Sequence, residues 1–178
     1  MNKISSWKSD RLTFRLAVYE DLPAIVGIYN STVASRKVTA DLEPVSVESR
    51  LGWFEQHSPD KRPLWIAADA TGKMVGWASF SSFYGRPAYD ITAEISIYLD
   101  ESERQKGYGK EILTYCLECA PLLGITNVLA FIFSRNTGSL RLFRSFGFEE
   151  WGNLPEVAVL EQTKETLLIL GKKIDSGM

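Results

Sequence analysis

Arg104-Gln105-Lys106-Gly107-Tyr108-Gly109, followed directly by Lys110, combines three cations with two glycines one residue apart. Glycine lacks a side chain, so the backbone N–H groups around Gly107 and Gly109 can come close to a ligand. An apolar stripe at helical spacing begins there and predicts a helix from Tyr108 to about Leu122. A helix start contributes unpaired N–H donors and the positive end of its dipole. Arg104, Lys106 and Lys110 add charge beside those donors. The chemistry this predicts is the binding of one small anion such as a pyrophosphate. Neither common nucleotide loop fits. The Gly-Lys-Ser/Thr ending of a P-loop is absent, no third glycine follows as in a dinucleotide fingerprint, and the strand leading in comes late in the chain.

The elements around the loop can be read from apolar periodicity and turn residues. Residues 11–18 read as a first strand. Asp21-Leu22-Pro23 then opens a helix to about Thr32, with Leu22, Ile25, Val26 and Tyr29 at helical spacing. A second helix is expected from near Ser46, carrying Val47, Leu51 and Phe54. Residues 64–68 and 73–80, joined by Asp69-Ala70-Thr71-Gly72, read as a hairpin. Residues 83–90 form an irregular loop. The next strand spans 91–99, with Ile91, Ala93, Ile95, Ile97 and Leu99 on one face. After the 108–122 helix come a buried strand at 128–133 and a helix capped at Asn136-Thr137 and ended by Gly147. Two strands with a polar turn near 161–164 then close the chain, and only the last few residues read as a tail. The order β-α-α-β-β-β-α-β-α-β-β predicts an α/β (α+β) class, a mixed sheet with helices on both faces. The whole chain, residues 1–178, reads as a single domain with its core at about 11–174.

Composition narrows the function classes. The 178 residues are 45% hydrophobic and 24% charged, ordinary for a globular domain, and the formal net charge of -2 predicts neither nucleic acid nor an anionic membrane as partner. No apolar run reaches the roughly 20 residues that span a bilayer, and Met1–Lys8 lacks the hydrophobic stretch of a signal peptide. A cytoplasmic protein is expected. The single histidine, His57, sits in a loop-like stretch and reads as an exposed loop or helix-end residue. No hydrolase triad and no metal site are therefore expected. Cys116 and Cys119 continue the stripe of Ile112, Leu113 and Leu123 and are expected in the core.

Three ordered elements resemble the GNAT acetyltransferase superfamily. Residues 104–109 match its Arg/Gln-x-x-Gly-x-Gly/Ala loop. Ile95-Ser96-Ile97-Tyr98-Leu99 resembles its central strand, which splays from a neighbour to admit the pantetheine arm. Asn136-Thr137-Gly138-Ser139, with Phe146-Gly147-Phe148 downstream, resembles its Asn-x-x-Ser…Gly-Phe element. The resemblance implies a GNAT fold: a mixed, mostly antiparallel sheet with a splayed central strand pair. It also implies acetyl-CoA as cosubstrate, without a metal. The residues implied at the cofactor are Ile97, Tyr98, Leu99, Arg104, Gln105, Lys106, Gly107, Tyr108, Gly109, Lys110, Asn136 and Ser139. Ile28-Tyr29-Asn30 and Tyr89-Asp90-Ile91-Thr92-Ala93-Glu94 are similar to the phosphinothricin and methionine sulfoximine branch, over about residues 12–174.

The reaction implied is acetyl transfer to a primary amine of a small molecule, an amino acid or an amino-acid analogue. The alternatives are acetylation of a protein N-terminus or lysine, and a non-catalytic acyl-CoA-binding sensor. A free α-amine has a pKa of roughly 8, so a base must remove its proton. Glu94 is the expected base and Asp90 the fallback. Backbone N–H groups near Ile97 to Leu99 are expected to polarise the thioester carbonyl. The family often places a proton-donating tyrosine where this chain has Phe143, so no general acid is assigned. Tyr84 and Arg86, in the loop before Glu94, are the expected acceptor contacts. The segment 160–167 lacks the Gly-x-Trp-x-Asp of the phosphinothricin branch, which argues against phosphinothricin itself. Relatives often pair through their C-terminal strands, which implies a homodimer.

Overall fold

The computed structural model describes Ser9 and residues 11–174. The readings made on Met1–Lys8 and on the final tail lie outside the described residues. Seven strands are present: β1 (Thr13–Leu16), β2 (Leu64–Ala68), β3 (Met74–Ser82), β4 (Thr92–Leu99), β5 (Asn127–Phe133), β6 (Glu149–Leu160) and β7 (Thr163–Lys173). Four α-helices accompany them: α1 (Leu22–Val33), α2 (Leu51–Glu55), α3 (Tyr108–Cys119) and α4 (Thr137–Ser145). The strands form one sheet in the order β1-β2-β3-β4-β5-β7-β6. Every neighbouring pair is antiparallel except β4 with β5.

Two apolar layers flank the sheet, because alternate strand residues point to opposite faces. On one face Ala93 and Ile95 of β4 pack with Ile112, Leu113 and Cys116 of α3 and with Leu140 and Phe143 of α4. On the other, Ile25 and Ile28 of α1 meet Ile66 and Trp77, with Trp53 and Phe54 of α2 and Tyr98 at the margin. Helices therefore cover both faces, as the element order predicts. Cys116 and Cys119 are buried free thiols in the first layer.

The hairpin at 69–72 forms as expected. Asp69 Oδ1 accepts from the N–H groups of Thr71 (2.9 Å) and Lys73 (3.1 Å), and Gly72 supplies the left-handed residue at φ 85°. Asn136 caps α4, its Oδ1 accepting from Ser139 N at 3.1 Å. Gly147, at φ 77°, ends that segment.

Three expectations need correction. The second helix begins as a 3-10 turn at Glu48–Arg50 and is α-helical only over Leu51–Glu55. Ile91 does not share the face of Ala93 and Ile95. It precedes β4 and is 51% exposed, because its carbonyl accepts from Thr126 N and Asn127 N and the chain turns there. His57 is half-buried rather than exposed. Its Nδ1 lies 3.0 Å from the Arg62 carbonyl and its ring stands edge-on to Trp53. Burial lowers its pKa, disfavouring the charged imidazolium.

Candidate active site

The site arises from one pairing mismatch. β4 pairs with β3 along all but its first residue, from Ala93↔Ser82 to Leu99↔Gly76. Against β5 it pairs only at Thr92↔Asn127, Ala93↔Val128 and Glu94↔Leu129. β5 continues beside β7 as far as Phe133↔Leu167. From Ile95 onward the parallel pair therefore splays, as the resemblance implies. The edge of Ile95–Leu99 that faces β5 is left to another binding partner.

A cleft of about 440 Å³ follows the splay. Its inner wall is Ile97, Tyr98 and Leu99 of β4, and α4 closes the far side with Asn136, Ser139 and Phe143. Thr32 at the end of α1 and Val38 beyond it form a third wall that the sequence does not announce. The mouth carries Arg104, Gln105, Gly107, Gly109 and Lys110.

The loop at the mouth is held from beneath. Asp100 Oδ1 accepts from Ser102 N (2.9 Å) and Ser102 Oγ (2.6 Å). Glu103 is buried and ion-paired to both Lys106 and Lys73, each at 2.8 Å. Lys106 first and Lys73 second hold its carboxyl down at about 2. Gln105 and Gly107 lie in the left-handed region, at φ 63° and φ 86°. That conformation turns the chain so that α3 starts with its first N–H groups at the cleft. Gly109 sits where α3 approaches α4; a β-carbon there would lie 3.2 Å from Leu142 and 3.8 Å from Leu99.

Two of the expected cofactor side chains turn away from the cleft. Lys106 Nζ is taken by Glu103, and its carbonyl accepts from Arg11 Nη1 at 2.8 Å. Tyr108 lies under the Arg11 guanidinium, 5.0 Å from its ring centre, while Arg11 also pairs with Glu111 of α3. These two residues offer backbone only. Arg104 and Lys110 keep their cationic side chains at the mouth. Cations, helix-start N–H groups and a channel into the sheet fit a nucleotide pyrophosphate with an extended arm behind it.

Glu94 sits at the crotch of the splay. Its neighbours Ala93 and Ile95 point into the α3/α4 layer, so Glu94, Ser96 and Tyr98 face α1 and α2. Glu94 borders a small hollow shared with Ala130, Ile132 and Ser139. Burial raises its pKa, and it makes no ion pair among the described residues. A carboxylate so placed can take a proton from a group lodged at the splay.

Tyr84 and Arg86 are not brought to Glu94. Both are exposed, Tyr84 at 63%, with its ring 5.3 Å from that of Tyr89. Asp90, the fallback, lies exposed on the same loop, its Oδ2 4.0 Å from Lys61 Nζ. The residues that do share the Glu94 face form a second cavity of about 140 Å³, bordered by Tyr29, Arg50, Trp53, Trp77, Ser96 and Tyr98. Here the Tyr98 ring is stacked on Trp77 at 4.5 Å. Burial pushes the Tyr98 hydroxyl pKa upward, so it stays a neutral phenol. Sequence reading missed Arg50; the one signal was its i,i+3 spacing to Trp53, which puts both on one side of a helical turn.

A splayed parallel pair, an anion loop at its mouth and a buried carboxyl at its crotch fit an acyl-coenzyme A-dependent transferase. Comparison with known proteins agrees. A family model described as "Acetyltransferase (GNAT) domain" matches residues 11–149. YwnH of Bacillus subtilis is 51% identical over 163 residues, covering 92% of this chain and 99% of that one. An L-methionine sulfoximine/L-methionine sulfone acetyltransferase of Pseudomonas aeruginosa is 33% identical over 145 residues, 82% of this chain and 84% of its own. A GNAT superfamily phosphinothricin acetyltransferase from Sinorhizobium meliloti, solved in complex with AcCoA, superposes with a TM-score of 0.86 at 29% identity, covering 93% of this chain and 90% of that one. The chain belongs to the GNAT acetyltransferase family, and it is an acetyl-CoA-dependent N-acetyltransferase.

Proposed function

We propose that this single-domain enzyme acetylates the primary amine of a small molecule, an amino acid or an amino-acid analogue. The observation that carries this reading is the cavity of about 140 Å³ on the Glu94 face of β4. Roughly 150 Å³ accommodates a benzene-sized molecule, which suits a free small acceptor better than a polypeptide. The acceptors named for the Pseudomonas aeruginosa and Sinorhizobium meliloti relatives are likewise free small molecules, not polypeptides.

Acetyl-CoA supplies an activated thioester carbonyl and a leaving thiolate. Arg104, Lys110 and the backbone N–H groups from Gly107 to Gly109 hold the pyrophosphate, while Gln105 shapes the turn. Lys106 and Tyr108 take part through their backbone. Asn136 and Ser139 line the pantetheine channel. Glu94 accepts the proton that the acceptor ammonium must lose, and its burial makes it a stronger base than an exposed glutamate. Backbone N–H groups on the open edge of β4, near Ile97 to Leu99, donate to the carbonyl oxygen as it gains negative charge. Phe143 borders the channel and cannot donate a proton, so no side chain is assigned as general acid: either water protonates the thiolate or it leaves unprotonated.

The reading includes a homodimer through β6. This strand has only β7 beside it, and it exposes Trp151, Val157 and Val159. A cytoplasmic location is part of it too, supported by two cysteines kept as buried free thiols. Among the described residues no helix is long and apolar enough to cross a membrane.

Isothermal titration with acetyl-CoA, followed by an acetylation screen of amino acids against peptides, tests the proposal. Binding with turnover of free amino acids is expected. Turnover of peptides alone would overturn the small-molecule reading.

A further inference from the structure

The second cavity contains one cation, and the geometry points to Arg50 as the subsite for a carboxylate on the acceptor. The inference rests on the acetyltransferase reading above and adds to it a charge requirement on the substrate.

The Arg50 guanidinium is fixed before any ligand arrives. It lies over the Tyr29 ring at 4.4 Å and near the Trp53 ring at 5.9 Å. Its Nη2 donates to Asp41 Oδ2 at 2.9 Å. Asp41 is itself held by the Tyr29 hydroxyl, which also bonds Thr39. One end of the fork is thus anchored. Nε and Nη1 have no hydrogen-bond partner among the described residues, and the side chain is 25% exposed. Ile25, Val26, Trp53 and Trp77 supply most of the remaining wall. An anion entering this cavity therefore meets pre-oriented, part-buried guanidinium N–H donors beside the Asp41 pair, where a charge-assisted hydrogen bond is stronger than in open water.

The position also suits the reaction. Arg50 and Ser96 border the same cavity, and Ser96 shares its β4 face with Glu94. An α-amino acid presents its amine and carboxylate on adjacent atoms. Holding the carboxylate at Arg50 would direct the amine toward β4 and its open edge. Arg86, by contrast, is exposed on its loop.

The test uses the full-length enzyme with CoA bound, titrated calorimetrically with L-methionine, L-methioninamide and the decarboxylated amine 3-(methylthio)propylamine, alongside steady-state acetylation of each. Wild type should prefer the carboxylate by at least tenfold in affinity and in kcat/KM. Arg50→Gln should raise the KM for L-methionine by about 10- to 100-fold, the effect of a lost charged hydrogen bond. The amide, the amine and the acetyl-CoA dissociation constant should change by less than about threefold. Arg50→Lys should recover part of the loss, and its unchanged acetyl-CoA affinity reports a folded protein. Equal use of acid and amide by wild type, or an equal loss on all three ligands in both variants, would overturn the assignment while leaving the acetyltransferase reading intact. Carboxylate-selective binding that Arg50→Gln abolishes, with no acetylation of any ligand, would support the subsite and sink the proposed amino-acid acceptor instead.

Discussion

Glu94 faces Leu129 in the last register that β4 and β5 share. One residue further, Ile95 is paired only to Phe80 of β3. The proposed base therefore stands where sheet hydrogen bonding stops and the ligand channel begins. The same edge that would otherwise bind β5 becomes available to a carbonyl oxygen.

Glu94→Gln should lower kcat by about 10² to 10⁴, the range for loss of a general base. In wild type, kcat/KM should rise with pH through an inflection above the ordinary glutamate value of roughly 4.3, and the variant should lose that limb. Burial raises the folded-state pKa. The group's relative contribution to stability is then fully present below its unfolded pKa and lost as pH rises through the folded value. At neutral pH, Glu94→Gln should accordingly be at least as heat-stable as wild type. Thermal melts at pH 4 and pH 8 check this; a variant less stable only at pH 8 contradicts it.

Gly107→Val should weaken acetyl-CoA binding at least tenfold by titration calorimetry. The residue is at φ 86°, and a β-carbon there would lie 3.2 Å from Arg11 Nη2. The left-handed conformation costs a branched residue on the order of 1–2 kcal/mol. Gly147, at φ 77° and away from the cleft, is the control. Gly147→Ala should lower stability and leave acetyl-CoA affinity unchanged.

Glu103→Gln should loosen the pyrophosphate loop without touching the ligand. Its carboxyl is held at about 2 by Lys106 and Lys73, so its stabilisation is present above the unfolded pKa and lost as pH falls through about 2. The variant should show a lower melting temperature at neutral pH, the gap narrowing below about pH 4. Acetyl-CoA affinity should fall several-fold. An unchanged affinity would mean that the loop keeps its shape without this clamp.

Asn136→Ala should destabilise the protein by about 1 kcal/mol through loss of the α4 cap, measured by urea denaturation. Asn136→Ser retains a capping oxygen and should restore most of that stability. Acetyl-CoA affinity should remain reduced in both, because the serine cannot reach into the channel as the amide does.

Val157→Asp combined with Val159→Asp should leave a monomer in light scattering if β6 forms the dimer contact. Both side chains are more than half exposed, so the fold should tolerate them. A wild-type protein that is monomeric at high concentration would remove the dimer from the reading.

The order of elements was legible because each carries a local signal. Period-2 and period-3.6 apolar spacing, the Asp69–Gly72 turn and the Asn136 cap all act within a few residues. Residues 64–68 were located to the residue, whereas Ile91 was misplaced because the carbonyl that redirects it binds Thr126 and Asn127, 35 and 36 positions away in the chain. The donor site was legible for a similar reason: its loop, strand and helix start are contiguous from Ile95 to Lys110.

The cavity proposed for the acceptor was not. Tyr29, Arg50, Trp77 and Ser96 come from four separate elements, and only packing α1 and α2 onto the β4 face brings them together. Tyr84 and Arg86 looked closer because they are neighbours of Glu94 in sequence, yet they lie exposed on their loop. The sequence by itself determined the family, the anion loop and the residue types at the splay, since local geometry depends on backbone conformation and short-range hydrogen bonding. Only the tertiary structure decided which side chains of that loop reach the cleft and which cation shares a cavity with the β4 face. Those are matters of long-range packing, of which spacing along the chain gave only the Arg50–Trp53 hint.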